Sequence, residues 1–279
     1  MEPRSLGWRT DLIFARFDGS VSARADHLVV RTPHNPTFWW GNFLLFGQAP
    51  REGDAARWLG CFDAEITQRE PASCHLAFGV DADAAFELPA DFAAAGLTLF
   101  ESTVLTMCPA QLRAPNASLD RGFEFRRVQL PQEAAAAVDL QVIAEGGVVH
   151  AEADYRLFRQ RQMRRYGAMQ DAGMGHWFGV FARGDDGHVQ LVADCGLFRA
   201  PDQSLGRFQH VVTHPGWRRR GLCRALIHGV CRHGFETMGL ETLVIVADPA
   251  DVAIGLYESL GFVRGASSWQ LERAPVGPA

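Results

Sequence analysis

The sequence has no Cys-x-x-Cys pair and no regular cysteine framework: Cys61, Cys74, Cys108, Cys195, Cys223 and Cys231 are scattered along it. That distribution fits reduced thiols rather than a disulfide scaffold, and no metal site is expected. The start, MEPRSLGWRTDLIF, lacks the charged segment, sustained apolar stretch and small-residue cleavage site of a secretory signal. No window approaches the ~20 apolar residues of a membrane span. These absences predict a cytoplasmic chain with no membrane partner. A basic excess is missing too, since the net charge is -5. A broad nucleic-acid footprint needs a net basic face, so no nucleic-acid partner is expected. With 47% hydrophobic and 21% charged residues the composition is that of an ordered globular protein.

Against this acidic balance one stretch stands out, HPGWRRRGLCRALIHG, residues 214–229. Arg218, Arg219, Arg220 and Arg224 crowd around Gly221 and lead into an amphipathic run. Local positive charge in an acidic chain points to a small anionic ligand.

At 279 residues the chain has room for two domains or one large one. RAPNASLDR is polar and without periodicity, and reads as a linker. The expected division is a domain over 1–115, a linker over 116–122 and a second domain over 123–279. Asn-Ala-Ser within the linker matches a glycosylation acceptor by chance, given the expected compartment.

After the linker, FEFRRVQL alternates as a strand, and PQEAAAAVDLQVIAEG reads as a helix with Pro131 at its first position. HAEADYRLFRQRQMRRYGAMQDAG is a second helix. HWFGVFARG, HVQLVADCGLFRA and GRFQHVVTHP are three strands, divided by turn residues in GDDG and PDQS. A helix from Gly221 to a stop at Gly239, the apolar strand TLVIVADP, the helix DVAIGLYESLGF and a strand around SSWQLER complete a mixed α/β sheet domain. In the N-terminal half LIFARFDGS, HLVVRTP, FWWGNFLLF, CHLAFGVD and LTLFESTVLTM read as strands, DAARWLGCFDAEI and ADFAAAG as helices. HLAFGVD followed by ADFAAAGLTLFESTVLTM is similar in outline to TLVIVADP followed by AIGLYESLGFVRGASSWQL, which suggests a divergent repeat. Trp39 and Trp40 would occupy opposite faces of a strand, with core packing the plainer role.

A strand, a tight arginine-glycine turn and a helix form an anion site. The free N–H groups of the first helical turn point out of its end, and the helix dipole adds positive potential there. Gly221 lets the backbone approach a ligand without a Cβ in the way. This geometry suits a pyrophosphate better than a duplex groove.

On these motifs residues 123–273 resemble the GCN5-related N-acetyltransferase (GNAT) family, whose signature is Q/R-x-x-G-x-G/A at a helix start. Arg218-Arg219-Arg220-Gly221-Leu222-Cys223 supplies the arginine and first glycine, after VVTHPGW in place of the family's V-x-P and aromatic. Cys223 stands where Gly or Ala is usual. The resemblance implies a mixed, mostly antiparallel sheet flanked by helices, in two tandem GNAT-like domains of which only the second carries the cofactor motif. It implies that acetyl-CoA (CoA) is bound, the backbone of Val211, Val212 and Thr213 meeting the pantetheine arm and the amides from Arg219 to Arg224 holding the pyrophosphate. In AIGLYESLGF, Tyr257 matches the tyrosine that protonates the departing thiolate.

Two family features are missing. Ala250, with Asp251 next to it, stands where an asparagine touches the cofactor, and RFQHVV lacks the glutamate base. Gln209 cannot take a proton, whereas His210 can. Strict alternation would let only one of them face the substrate. Asp194 and a water are rival bases, and His214, His228 and His233 read as turn or helix-surface residues.

The implied function is transfer of an acetyl group to a small-molecule or peptide amine by direct attack, with no covalent enzyme intermediate and with a homodimer compatible. The alternative from another class is a non-catalytic acyl-CoA-binding regulatory module.

Overall fold

Ser5 starts the first element: its hydroxyl accepts the Trp8 N–H at 3.3 Å and caps the helix α1 (Leu6–Asp18). Trp8, Leu12 and Ala15 recur at helical spacing and are buried, so LIFARFDGS belongs to a helix and not to the expected strand. The computed structural model describes residues 1–115, 119–146, 152–184, 187–200 and 204–275. After α1 come β1 (Ser20–Ala23), β2 (His27–Arg31), β3 (Phe43–Phe46), α2 (Ala55–Phe62), β4 (Leu76–Val80), α3 (Ala90–Ala94) and β5 (Thr98–Met107). The second half continues with β6 (Phe123–Arg127), α4 (Ala134–Glu145), α5 (Glu152–Asp171), β7 (Gly175–Arg183), β8 (Val189–Arg199) and β9 (Leu205–Thr213). It ends with α6 (Leu222–Glu236), β10 (Thr242–Ala247), α7 (Ala253–Leu260) and β11 (Val263–Arg273).

Two further expectations are corrected. Pro131 follows a cis peptide bond and lies ahead of α4, whose N-cap is Glu133. Trp39 and Trp40 sit in a short 3-10 turn, Trp39–Gly41, and not on a strand. The Asn42 amide explains the turn: Oδ1 accepts Thr32 N–H at 2.9 Å while Nδ2 donates to the carbonyls of Asn35 and Phe38. Trp39 stacks on His75, and Trp40 donates to Glu272 Oε2 at 3.2 Å.

The chain divides into two compact units, Met1–Val104 with Val246–Pro249 and Gly265–Ala279, and Leu105–Ile245 with Ala250–Arg264. The division does not follow the 116–122 linker, of which residues 116–118 lie outside the described residues. The end of the chain joins the first unit because β11 pairs antiparallel with β4, from Trp269 opposite Val80 to Arg273 opposite Leu76.

In the first unit the strand order is β1-β2-β3-β4-β11-β5. Its inner strands β2, β3 and β4 are buried on both faces. Phe43 and Leu45 pack with Trp8 and Leu12 of α1, while Leu44 and Phe46 pack with Trp58 and Phe62 of α2. In the second unit the order is β10-β9-β8-β7-β6. Here α4 and α5 cover one face, where Tyr166 stacks on Trp177 at 4.7 Å, and α6 covers the other, with Gly229 against Phe125 and Gly234 against Leu197.

Each unit contains two antiparallel pairings followed by one parallel pairing across a helix. These are β1-β2-β3 then β4 over α2, and β7-β8-β9 then β10 over α6. In chain order each of these arrangements is followed by a short helix ending on a left-handed glycine, Gly96 after α3 and Gly261 after α7, and then by a long strand, β5 and β11. The shared order accounts for the repeat-like pattern in the sequence. The fold is α/β, a mixed and mostly antiparallel sheet flanked by helices, and no helix among the described residues is long and apolar enough to cross a membrane.

Candidate acyl-donor and acceptor site

The site grows out of β9. Its first three residues pair in parallel with β10, Leu205 opposite Thr242, Gly206 opposite Leu243 and Arg207 opposite Val244, and the pairing then stops. Burial changes beyond Phe208: residues Leu205 to Phe208 are buried and Gln209 to Thr213 only half-buried. The β10-facing edge of Val211, Val212 and Thr213 is thereby left open for a ligand with amide groups. One carbonyl is already engaged, because Arg218 Nε donates to Thr213 O at 3.3 Å.

Beyond β9, His214 accepts the Gly216 N–H through Nδ1, and a 3-10 turn, Pro215–Trp217, carries the chain into the arginine cluster. Arg219 has φ of 63° and Gly221, the N-cap of α6, has φ of 75°. No side chain caps this helix. The first turn's backbone donation is from Ala225 to Gly221 O. The preceding amides, from Arg219 to Arg224, point out of the helix end with no protein acceptor among the described residues. A Cβ at Gly221 would meet no protein atom within 4 Å, so the space before these amides is open. Arg218, Arg219 and Arg220 are exposed around it, Arg220 lying over the Trp217 ring at 4.7 Å. A bare, αL-started helix end ringed by arginines fits a pyrophosphate.

Leu222 is buried beneath the turn. Cys223 is half-buried and its thiol hydrogen-bonds with Thr213, while burial pushes it up to about 11. A neutral small side chain is thus accommodated where Gly or Ala is usual. Tyr257 on α7 is 4% exposed. Burial first, then nearby Cys223, Asp251 and Cys195, hold its phenol above the usual range, so it stays protonated. Asp251 Oδ1 accepts the Ala253 N–H at 2.8 Å and caps the start of α7, which leaves the missing asparagine without a side-chain substitute at Ala250.

On the α4/α5 face lies a buried polar group that sequence reasoning reaches only in part. Asp194 on β8 is fully buried. Its Oδ2 accepts Trp177 Nε1 at 3.0 Å and Gln141 Nε2 at 3.1 Å, and its Oδ1 has no partner. Gln141 in turn accepts Arg159 Nε at 2.6 Å. Burial raises the Asp194 carboxyl to about 7 against the lowering effect of these donors and of Arg159. Gln141, Arg159 and Trp177 carry no separable sequence signal, since each lies in an ordinary helix or strand pattern.

His210 has φ of 45°, and the β8–β9 register shifts there: Asp194 faces Val212 and Gly196 faces Gln209, so His210 and Val211 stand opposite Cys195 alone. The bulge overturns the alternation expected of Gln209 and His210. Gln209 Oε1 accepts Tyr166 Oη at 3.4 Å, and His210, desolvated and beside Arg159, is held well below the ordinary imidazole range. His210 is therefore neutral at pH 7. His214 lies in the turn, and His228 and His233 are half-buried on α6.

Residues 143–262 match the model of the acetyltransferase (GNAT) family. No curated protein matches the chain. In fold it is similar to a functionally unknown conserved protein from Staphylococcus epidermidis, at 12% identity and a TM-score of 0.72, covering 93% of this chain and 96% of that one. A GCN5-related N-acetyltransferase from Kribbella flavida is similar at 16% identity and 0.64, covering 98% and 95%. A tandem GNAT protein from the clavulanic acid biosynthesis pathway is similar at 13% identity and 0.54, covering 85% and 76%. Residues 143–262 thus carry a domain of the acetyltransferase (GNAT) type.

Proposed function

We propose that the chain is an acetyl-CoA-dependent N-acetyltransferase whose second unit binds the cofactor and an amine side by side. The observation that carries this reading is the coincidence, within one unit, of a strand edge released after Arg207 and an uncapped helix start at Gly221. Bound acetyl-CoA supplies an activated thioester. The remaining work, orientation and proton transfer, falls to the chain.

In this reading the amides from Arg219 to Arg224 take the pyrophosphate, with Arg218, Arg219 and Arg220 adding positive potential, and the edge of Val211 to Thr213 orients the pantetheine arm. Asp194, raised to about 7, is matched to accept the ammonium proton. Neutral His210 is too weakly basic to hold that proton and offers a hydrogen-bond acceptor. Tyr257 keeps its proton until negative charge develops on sulfur, and then donates to it.

Ala250 in place of an asparagine favours a second reading, a module that binds acyl-CoA without turnover. Calorimetry with acetyl-CoA and thiol release with a panel of amines separate the two. Binding with acetyl-dependent CoA release supports the enzyme, binding without release supports the module, and no binding at high micromolar concentration removes both.

A further inference from the structure

Arg159 is a buried cation in need of an anion. It is 4% exposed, its Nε is spent on the neutral Gln141, its Nη2 has no partner, and it forms no ion pair among the described residues. An unpaired buried guanidinium is strongly disfavoured, and a negative group from elsewhere would relieve it. The nearest carboxylate in the network does not serve, because Gln141 stands between Arg159 and Asp194 and bonds to both.

The other unpartnered atoms of this face are Gln162 Oε1, one helical turn along α5 from Arg159, Asp194 Oδ1 on β8 and His210 Nε2 on β9. Two are acceptor oxygens, and the third is an acceptor when the neutral imidazole carries its proton on Nδ1. Four orphan polar atoms on one buried face are outside the habit of folded proteins. Their sorting is chemical: three acceptors match the three N–H bonds of an alkylammonium, and one cationic donor matches a carboxylate oxygen. A phosphate is a poor fit, since its oxygens would face the acceptors of Gln162 and Asp194. Asp194 is opposite Val212 in the ladder, which sets the ammonium end of such a ligand beside the strand edge proposed for the cofactor.

We propose that the acceptor is an amino acid or a similar short amine bearing a carboxylate, with Arg159 binding the carboxylate and Asp194, Gln162 and His210 the ammonium. The inference rests on the acetyltransferase reading and narrows its substrate class.

The test pairs each common amino acid, β-alanine and 4-aminobutyrate with its methyl ester. CoA release and binding to the CoA-loaded protein by calorimetry are both measured. At least one acid is expected to exceed its ester tenfold or more in kcat/KM and to bind with measurable heat. Arg159→Met is expected to bring the acid-to-ester ratio to about 1, chiefly through KM, and Arg159→Lys to keep part of it; thermal melts of both variants exclude unfolding. Equal turnover of acids and esters by the unaltered protein overturns the proposal while leaving acetyl transfer intact. A ratio unmoved in Arg159→Met overturns the role of Arg159. Absence of CoA binding removes the parent reading, and CoA binding with no acid bound or acetylated removes this one alone.

Discussion

Trp177 donates its indole N–H to Asp194 Oδ2 at 3.0 Å, inside a fully buried polar group. With Gln141 on the same oxygen, Oδ1 is the one without a partner.

Asp194→Asn preserves the acceptor for both donors and removes the titration. If Asp194 accepts the ammonium proton, kcat/KM of the unaltered protein rises with pH through a limb near 7, which the variant lacks, and its rate is lower by roughly 10² to 10⁴. Stability moves in the opposite direction. The folded carboxyl titrates at about 7 against 3.8 unfolded, so its contribution is complete below about 3.8 and is lost as pH rises through about 7, at roughly 1.4 kcal/mol per pH unit between them. Urea midpoints at pH 4, 6 and 8 should fall less steeply in Asp194→Asn. An unchanged slope would show that the carboxyl ionises normally.

Tyr257→Phe removes the phenol hydroxyl and leaves the ring. Because burial keeps that phenol protonated, the hydroxyl matters when the thiolate leaves, and kcat is expected to fall by about 10² or more with CoA affinity within twofold. Full kcat at saturating substrate would assign the proton to water.

The proposed donor side of this site is the part that the sequence points to. Arg218 to Cys223 announce a helix start for an anion because glycine and arginine are costly choices unless a turn and a charge require them, and the α6, β10 and α7 boundaries follow from Gly221, Gly239 and Gly261. The acceptor side is not legible. Gln141, Arg159 and Asp194 come from three elements 18 and 35 residues apart in sequence, and no local spacing records their meeting. Alternation misplaces His210 because it assumes an unbroken ladder, and a bulge is a property of two paired strands. LIFARFDGS reads as a strand in isolation because the segment omits Ser5 and Trp8, which supply the cap and the first helical contact.

Gly221→Ala separates backbone conformation from cofactor approach. A Cβ there meets no protein atom within 4 Å, so the stability loss should be the left-handed cost of about 1 to 2 kcal/mol and no more. Affinity for CoA should drop at least tenfold, because the methyl group enters the space before the amides, and Gly221→Asp should abolish it through added charge. Micromolar affinity in Gly221→Asp would move the phosphate site elsewhere.

One CoA is expected to bind per chain, in the second unit. The first unit offers the counterpart position, the start of α2 between β3 and β4, with Arg51 and Gly53 before it. There the amides of Gly53 and Ala55 both donate to Asp91 Oδ2 at 3.0 Å, so a carboxylate of the chain itself sits where an anion would bind. Its parallel strand pair also leaves no open edge, because β3 pairs with β4 through Phe46 opposite Val80 and Asp81 N–H then donates to Phe46 O. Asp91→Ala removes the internal anion without opening the strand edge. It should therefore lower stability by about 1 to 3 kcal/mol, the worth of hydrogen bonds to a charged group, and create no second site. Calorimetric titration giving two CoA per chain, with one surviving Gly221→Asp, would make both units cofactor-competent; a second site gained only in Asp91→Ala would show that the carboxylate alone had kept it closed.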